Sequence, residues 1–198
     1  MPNENELIYT GVGSRETPRD VGTIMRDMAA ALARAGWTLR SGGAPGADSD
    51  FEGGARTVPN AAMEIYLAWQ GFNNNPSPLF QSRPEAFDIV KAVHPAWEQL
   101  SGAARKLHAR NVFQVLGFSL DKPAKMTVCW TPDGCESEKT RRRGTGGTAT
   151  AIVLSEHYKV PVFNLKNEES RVRLNALLTQ YGVDYQIPLE SGKQFSMF

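Results

Sequence analysis

The 198-residue sequence predicts an α/β fold, a single-domain Rossmann-like unit over residues 1–187 with a mostly parallel sheet and helices on both of its faces. Three observations carry that expectation. Short β-prone runs alternate with longer runs of helical spacing, glycine-rich segments follow the predicted strands, and 41% hydrophobic with 22% charged residues is an ordinary globular balance.

Leu7-Ile8-Tyr9-Thr10 is a β-prone run that enters the tight loop Gly11-Val12-Gly13-Ser14-Arg15. The following apolar positions Val21, Ile24, Met25, Met28, Leu32 and Ala35 recur at helical spacing, and Gly36 is a natural stop. Trp37 to Ser41 predicts the second strand, closed by Gly42-Gly43-Ala44-Pro45-Gly46-Ala47-Asp48, with a helix around Asp50 to Arg56 and a third strand at Ala62 to Leu67. Residues 70–95 break the alternation: Asn73-Asn74-Asn75, prolines and aromatics predict an irregular insertion. Order resumes with a helix from about Trp97 to Leu116, a strand at Met126 to Trp130, and the glycine-opened helix Ala151 to Glu156. The fifth strand is Val160 to Leu165 and the last helix Glu168 to Tyr181, with a weakly structured tail at 188–198.

A formal net charge of +1 argues against a uniformly basic nucleic-acid coat. No apolar run approaches the ~20 residues of a membrane span, and the first residues lack a signal-peptide pattern. The expectation is a soluble, cytoplasmic protein without a membrane partner, and a homo-oligomer. Cys129 and Cys135 form neither a metal-ligand pattern nor a C-x-x-C motif, and the three histidines are not spaced as a metal pair, so no metal and no cofactor are expected. The expected role of both thiols is structural.

In an open parallel sheet, ligands bind at the carboxyl ends of the strands near the point where strand order reverses. Glycine allows close backbone approach there, and a helix N-terminus favours an anion. Three glycine-rich segments on one edge therefore predict a nucleotide or phosphodiester site. They do not form a Walker A motif, and Glu16 stands where a Gly-x-Gly-x-x-Gly fingerprint needs its third glycine.

Tyr9-Thr10-Gly11-Val12-Gly13-Ser14-Arg15, Ser41-Gly42-Gly43-Ala44-Pro45-Gly46-Ala47-Asp48, Arg110-Asn111 and Thr145-Gly146-Gly147-Thr148-Ala149-Thr150-Ala151 together resemble the ordered motifs of the SLOG superfamily. That group contains DprA/Smf, the YspA-like proteins and the Lonely Guy (LOG) phosphoribohydrolases. The resemblance covers residues 7 to 165 apart from the insertion, and its details are most similar to the DprA and YspA side. It implies a nucleotide- or single-stranded-DNA-binding protein whose pocket uses Gly11, Gly13, Ser14, Arg15, Gly42, Gly43, Gly46, Asp48, Arg110, Asn111, Gly146, Gly147, Thr148 and Thr150. A LOG-like nucleotide N-glycosidase is the alternative, but Ala149 replaces the third glycine and Val153 the glutamate of that motif, with Glu156 as a displaced substitute at best. A non-catalytic sensor or sponge of a nucleotide signal is a further alternative. No complete catalytic set is visible.

Individual residues keep competing readings. Ser14 and Arg15 either face a phosphate where the first strand meets its helix, or serve as an N-cap and a surface arginine. Asp48 either accepts from a ligand hydroxyl or base N–H, or caps the following helix. His108 is two residues from Arg110 and is not expected on its face. Lys139, Arg141, Arg142 and Arg143 form a basic run beside the third glycine loop, either a solvated cluster or a polyanion contact. Phe72, Phe80 and Phe87 either stack on bases or pin the insertion down. Gln194-Phe195-Ser196-Met197-Phe198 resembles the bacterial sliding-clamp-binding pentapeptide, with Gln194, Met197 and Phe198 as its anchors.

Overall fold

The computed structural model describes residues 6–189. The strands are buried almost throughout, as in a parallel sheet covered on both faces, and helices such as Arg19–Arg34 bury one apolar stripe against it. In chain order the elements are β1 (Ile8–Gly11), α1 (Arg19–Arg34), β2 (Thr38–Ser41), α2 (Ala47–Arg56), β3 (Met63–Ile65), α3 (Pro84–Val93), α4 (Gly102–Leu116), β4 (Met126–Cys129), α5 (Thr148–His157), β5 (Val162–Asn164) and α6 (Glu168–Gln180). The five strands form one parallel sheet in the order β3-β2-β1-β4-β5, with Tyr9 opposite both Leu39 and Met126 and Val128 opposite Phe163.

Successive strand residues point to opposite faces, so Tyr9, Met126, Val128 and Phe163 join one apolar cluster while Ile8, Cys129 and Val162 join another. The first cluster takes the buried stripes of α1, α2 and α6 through residues such as Met25, Phe51 and Leu174; the second takes α3, α4 and α5 through Val90, Phe113 and Ile152. Each side chain the size of Phe51 contributes about 1.5–3 kcal/mol by leaving water. Among the described residues no helix is long and apolar enough to cross a membrane. Cys129 and Cys135 are buried and unbridged, and burial pushes the Cys129 thiol well above its ordinary value.

The insertion departs from the irregular segment expected. Residues 84–93 of it are regular helix, because Pro84 occupies the first helical position, where its missing N–H costs nothing, and Ala86 and Val90 seal the second cluster. The predicted helix at 97–116 is divided: Trp97–Gln99 is a short 3-10 turn, and Ser101 opens α4 by accepting from the Ala104 N–H at 3.2 Å. Phe72 is buried and Phe80 and Phe87 are half-buried against the two clusters, so these aromatics pin the insertion to the body of the protein. The tail motif at Gln194, Met197 and Phe198 lies outside the described residues.

Helices α1 and α2 touch through glycine. A Cβ at Gly54 would fall 2.1 Å from the Arg26 carbonyl oxygen, whereas one at the adjacent Gly53 would meet nothing within 4 Å. Gly54→Ala is expected to destabilise by about 1–3 kcal/mol through overpacking, and Gly53→Ala to stabilise by about 0.4–1 kcal/mol through the unfolded chain. Urea midpoints of the two variants, at unchanged slope, check the opposite signs.

Candidate functional site

The strand order reverses between β1 and β4, and the loops leaving their carboxyl ends diverge there. A cleft of about 370 Å³ opens at that point, walled by Val12 to Glu16, Ala44 and Asp48, one face of α4, and Gly144 to Thr148 with Ala151. All three glycine-rich segments reach this edge of the sheet, but they serve it differently.

The first loop continues the sheet. Val12 and Ser14 donate their N–H groups to the carbonyls of Val128 and Trp130 at 3.1 and 3.0 Å. Gly13 passes so tightly between neighbours that a Cβ would stand 2.7 Å from that of Ala47 and 2.9 Å from the Trp130 carbonyl oxygen. Helix α1 begins only at Arg19, behind Pro18, so Ser14 and Arg15 do not stand at its entrance as the sequence suggests. Ser14 Oγ instead accepts from the Glu16 N–H at 3.0 Å, which turns the loop and leaves Arg15 exposed on the cleft wall.

The second loop, like Gly11 at the end of β1, is a packing device. Gly11 lacks a side chain because Phe51 and Leu39 lie where one would be, and a Cβ at Gly42 would stand 1.1 Å from Nη1 of Arg110. The Arg110 guanidinium thus lies directly on the Gly42 backbone and donates to Asp48 Oδ2 at 3.0 Å, with both side chains buried. Asp48 is neither a free acceptor nor the cap of α2, whose N-cap is Gly46. Burial pushes its carboxyl above the ordinary value, against the pull of Arg110 and of the N–H groups of Ala44 and Gly13. The insertion closes this arrangement from outside: Arg110 Cζ lies 5.8 Å from the Phe72 ring centre, and Asn73 Nδ2 donates to the Gly43 carbonyl at 3.1 Å.

The third loop faces the cleft directly. Gly146 has φ +61° and ψ −150°, a conformation open only to glycine, and Gly147 is the N-cap of α5 with no side chain capping the helix. Asn111 Nδ2 donates to the Gly147 carbonyl at 3.0 Å, and His108 Nδ1 and Thr150 Oγ1 are hydrogen-bonded at 2.7 Å, so α4 holds both sides of the turn. The first N–H groups of such a helix carry partial positive charge and have no intrahelical partner. In α5 the Ala149 N–H is taken by the Gly146 carbonyl at 3.2 Å, within its own loop, whereas in α2 the Ala47 N–H donates to the Ser14 carbonyl of the first loop at 3.2 Å. Gly11, Gly42, Gly43, Gly46 and Thr150 therefore stand behind the surface that Gly13, Ser14, Arg15, Asp48, Arg110, Asn111, Gly146, Gly147 and Thr148 line. Lys139, Arg142 and Arg143 are exposed and Arg141 is half-buried beside Glu138; all four precede the cleft wall that begins at Gly144.

Gln114 lines the cleft although no motif contains it, and His108 lines it although its separation from Arg110 predicts another face. Their signal is helical spacing: Gln114 is four residues beyond Arg110, and His108 three before Asn111. The cleft spans enough of α4 to take His108 together with Arg110, contrary to the expectation from their separation. Burial, then His94 and Arg110, push the His108 imidazole down to about 4, so it is neutral at physiological pH. No protein-family model, curated protein or solved structure matches this chain.

Removing the cation from a buried pair strands its partner. Arg110→Met is expected to cost about 3–5 kcal/mol at neutral pH. A carboxyl raised in the folded state binds a proton that the unfolded chain does not, so the variant should recover stability as pH falls from 7 toward 5. Urea denaturation of both proteins across that range checks the narrowing gap. His108 acts in the opposite direction, because a depressed imidazole removes stability as pH falls from about 6.5 through about 4; His108→Gln is expected to flatten that decline.

Proposed function

We propose that this chain is a nucleotide- or single-stranded-DNA-binding protein of DprA/SLOG type that takes a phosphate at the glycine-rich edge of its sheet. The observation that carries the reading is the convergence, in one cleft at the strand-order reversal, of the N-terminus of α5, which no side chain caps, with Ser14 and Arg15. Arg15 supplies a forked cation for phosphate oxygens. A volume of about 370 Å³ suits a single small ligand, and the ordered motifs that resemble the SLOG superfamily support the same edge. Lys139, Arg142 and Arg143, exposed just before this wall, would meet the neighbouring phosphates of a strand and supply the salt-dependent part of its affinity.

The geometry favours holding the ligand over cleaving it. Val153 is buried where a LOG-type glutamate would stand, and the Glu156 carboxylate accepts from the Glu138 N–H at 2.6 Å in a separate groove between α3 and α5. Of the carboxylates that line the cleft, Asp48 is bound to Arg110 and Glu16 stands exposed at the mouth. The protein accordingly acts as a carrier or sensor of its ligand.

Calorimetric titration with nucleoside monophosphates and anisotropy titration with labelled single-stranded DNA over a salt series test this reading. Binding is expected in at least one, with Arg15→Ala weakening it by about tenfold or more through loss of a charged hydrogen bond. Absence of both at low salt overturns the reading. Release of free base from the monophosphates would instead establish the glycosidase.

A further inference from the structure

Gln114 is fully buried on α4, yet neither Oε1 nor Nε2 of its side chain has a hydrogen-bond partner in the protein, and the residue lines the cleft. Its main chain is pinned, because Thr10 Oγ1 donates to the Gln114 carbonyl at 2.7 Å. The amide itself sits beside Gly42, where a Cβ would stand 2.6 Å from Nε2. The neighbouring Nε of Arg110 is likewise buried without a partner. A leucine or methionine would fill this position without stranding any polar atom, and buried polar groups in folded proteins are as a rule paired. Tyr9 Oη, Trp37 Nε1 and Arg105 Nε are also buried without a partner, but of these groups only those of Gln114 and Arg110 belong to residues that line the cleft.

The chemistry of the amide limits what it can meet. Nε2 donates and Oε1 accepts. A phosphate or carboxylate offers acceptors alone and would leave Oε1 facing a negative charge. The complement is a group with an acceptor beside a donor in one plane, which is how glutamine reads a nucleobase edge. On the reading above the anion lies at the N-terminus of α5 in the same cleft, and Val12, Ala44 and Leu107 give the cleft apolar wall.

We propose that Gln114 is a specificity-determining residue that reads the hydrogen-bonding edge of a nucleobase inside the cleft while the phosphate lies at the N-terminus of α5. This rests on the anion-binding reading above and adds the part of the ligand that the cleft discriminates.

The test is calorimetric titration of the full chain with the four ribonucleoside monophosphates, ribose 5-phosphate and inorganic phosphate. At least one monophosphate is expected to bind about tenfold or more tighter than ribose 5-phosphate and than its least favoured counterpart. Gln114→Leu should abolish that preference, hold the ribose 5-phosphate affinity within about twofold, and leave the melting temperature unchanged or higher. Gln114→Met serves as the second variant. Monophosphates that bind no better than ribose 5-phosphate overturn the role of Gln114 and leave the anion site standing; failure of every ligand to bind overturns both. A preference that survives in the variants, or failure of both variants to fold, makes the amide a structural residue and overturns the proposal.

Discussion

The guanidinium of Arg110 lies bare against the Gly42 backbone and 3.0 Å from the Asp48 carboxylate, and through it α4 is joined to the first turn of α2 across the sheet edge. Much of the rest of this edge follows from that contact. Gly42 must lack a side chain for it, and Phe72 covers the remaining face of the cation. Asn111, the next residue along, bonds the third glycine loop. A buried pair of this kind adds little net stability over a well-packed apolar alternative, because both charges lose their water. What it supplies is position: α4 is held in one register against both the second and the third loops.

The helix N-termini divide the work. Every helix begins with N–H groups that lack intrahelical partners. Ser101 satisfies one of them in α4 with its own hydroxyl, and the Ser14 carbonyl takes one from α2. In α5, as in α2, no side chain caps the terminus; the Gly146 carbonyl takes the Ala149 N–H, and Gly146, Gly147 and Thr148 border the cleft. Two of the glycine-opened helices thus look alike in sequence and differ in setting, one closed by the first loop and one whose opening residues Gly146, Gly147 and Thr148 line the cleft. A net charge of +1 says little about such an edge, because helix-terminal amides and the charges of Arg15, Glu16, Asp48 and Arg110 act locally.

The insertion supports the edge from outside. Asn75 Nδ2 bonds both carboxylate oxygens of Glu52 on α2, at 3.0 and 2.8 Å, and Asn73 reaches Gly43. Its helix α3 packs on α4 and α5 through the second apolar cluster. Together these contacts brace the helices that carry Asp48, Arg110 and the third loop, so an element that breaks the sequence pattern holds the cleft walls in place.

Local information was sufficient for the fold class. Alternating β-prone and helical runs, the stop at Gly36 and the glycine-opened helix α5 depend on backbone preferences and on a period read within a few residues. The same preferences misled where a signal had two meanings: Pro84 read as a breaker although it begins a helix, and Ser101 divides a helix that looked continuous. The order β3-β2-β1-β4-β5 decided which loops meet, and only the folded chain shows that Gly11 and Gly42 make room for protein side chains rather than bordering the cleft. It also made Asp48 the partner of a cation 62 residues away and left the Gln114 amide without one. These are distances through space between segments far apart in the chain. Residue type and local spacing set what each segment can become, but the choice of neighbours comes from packing the helices onto both faces of the sheet.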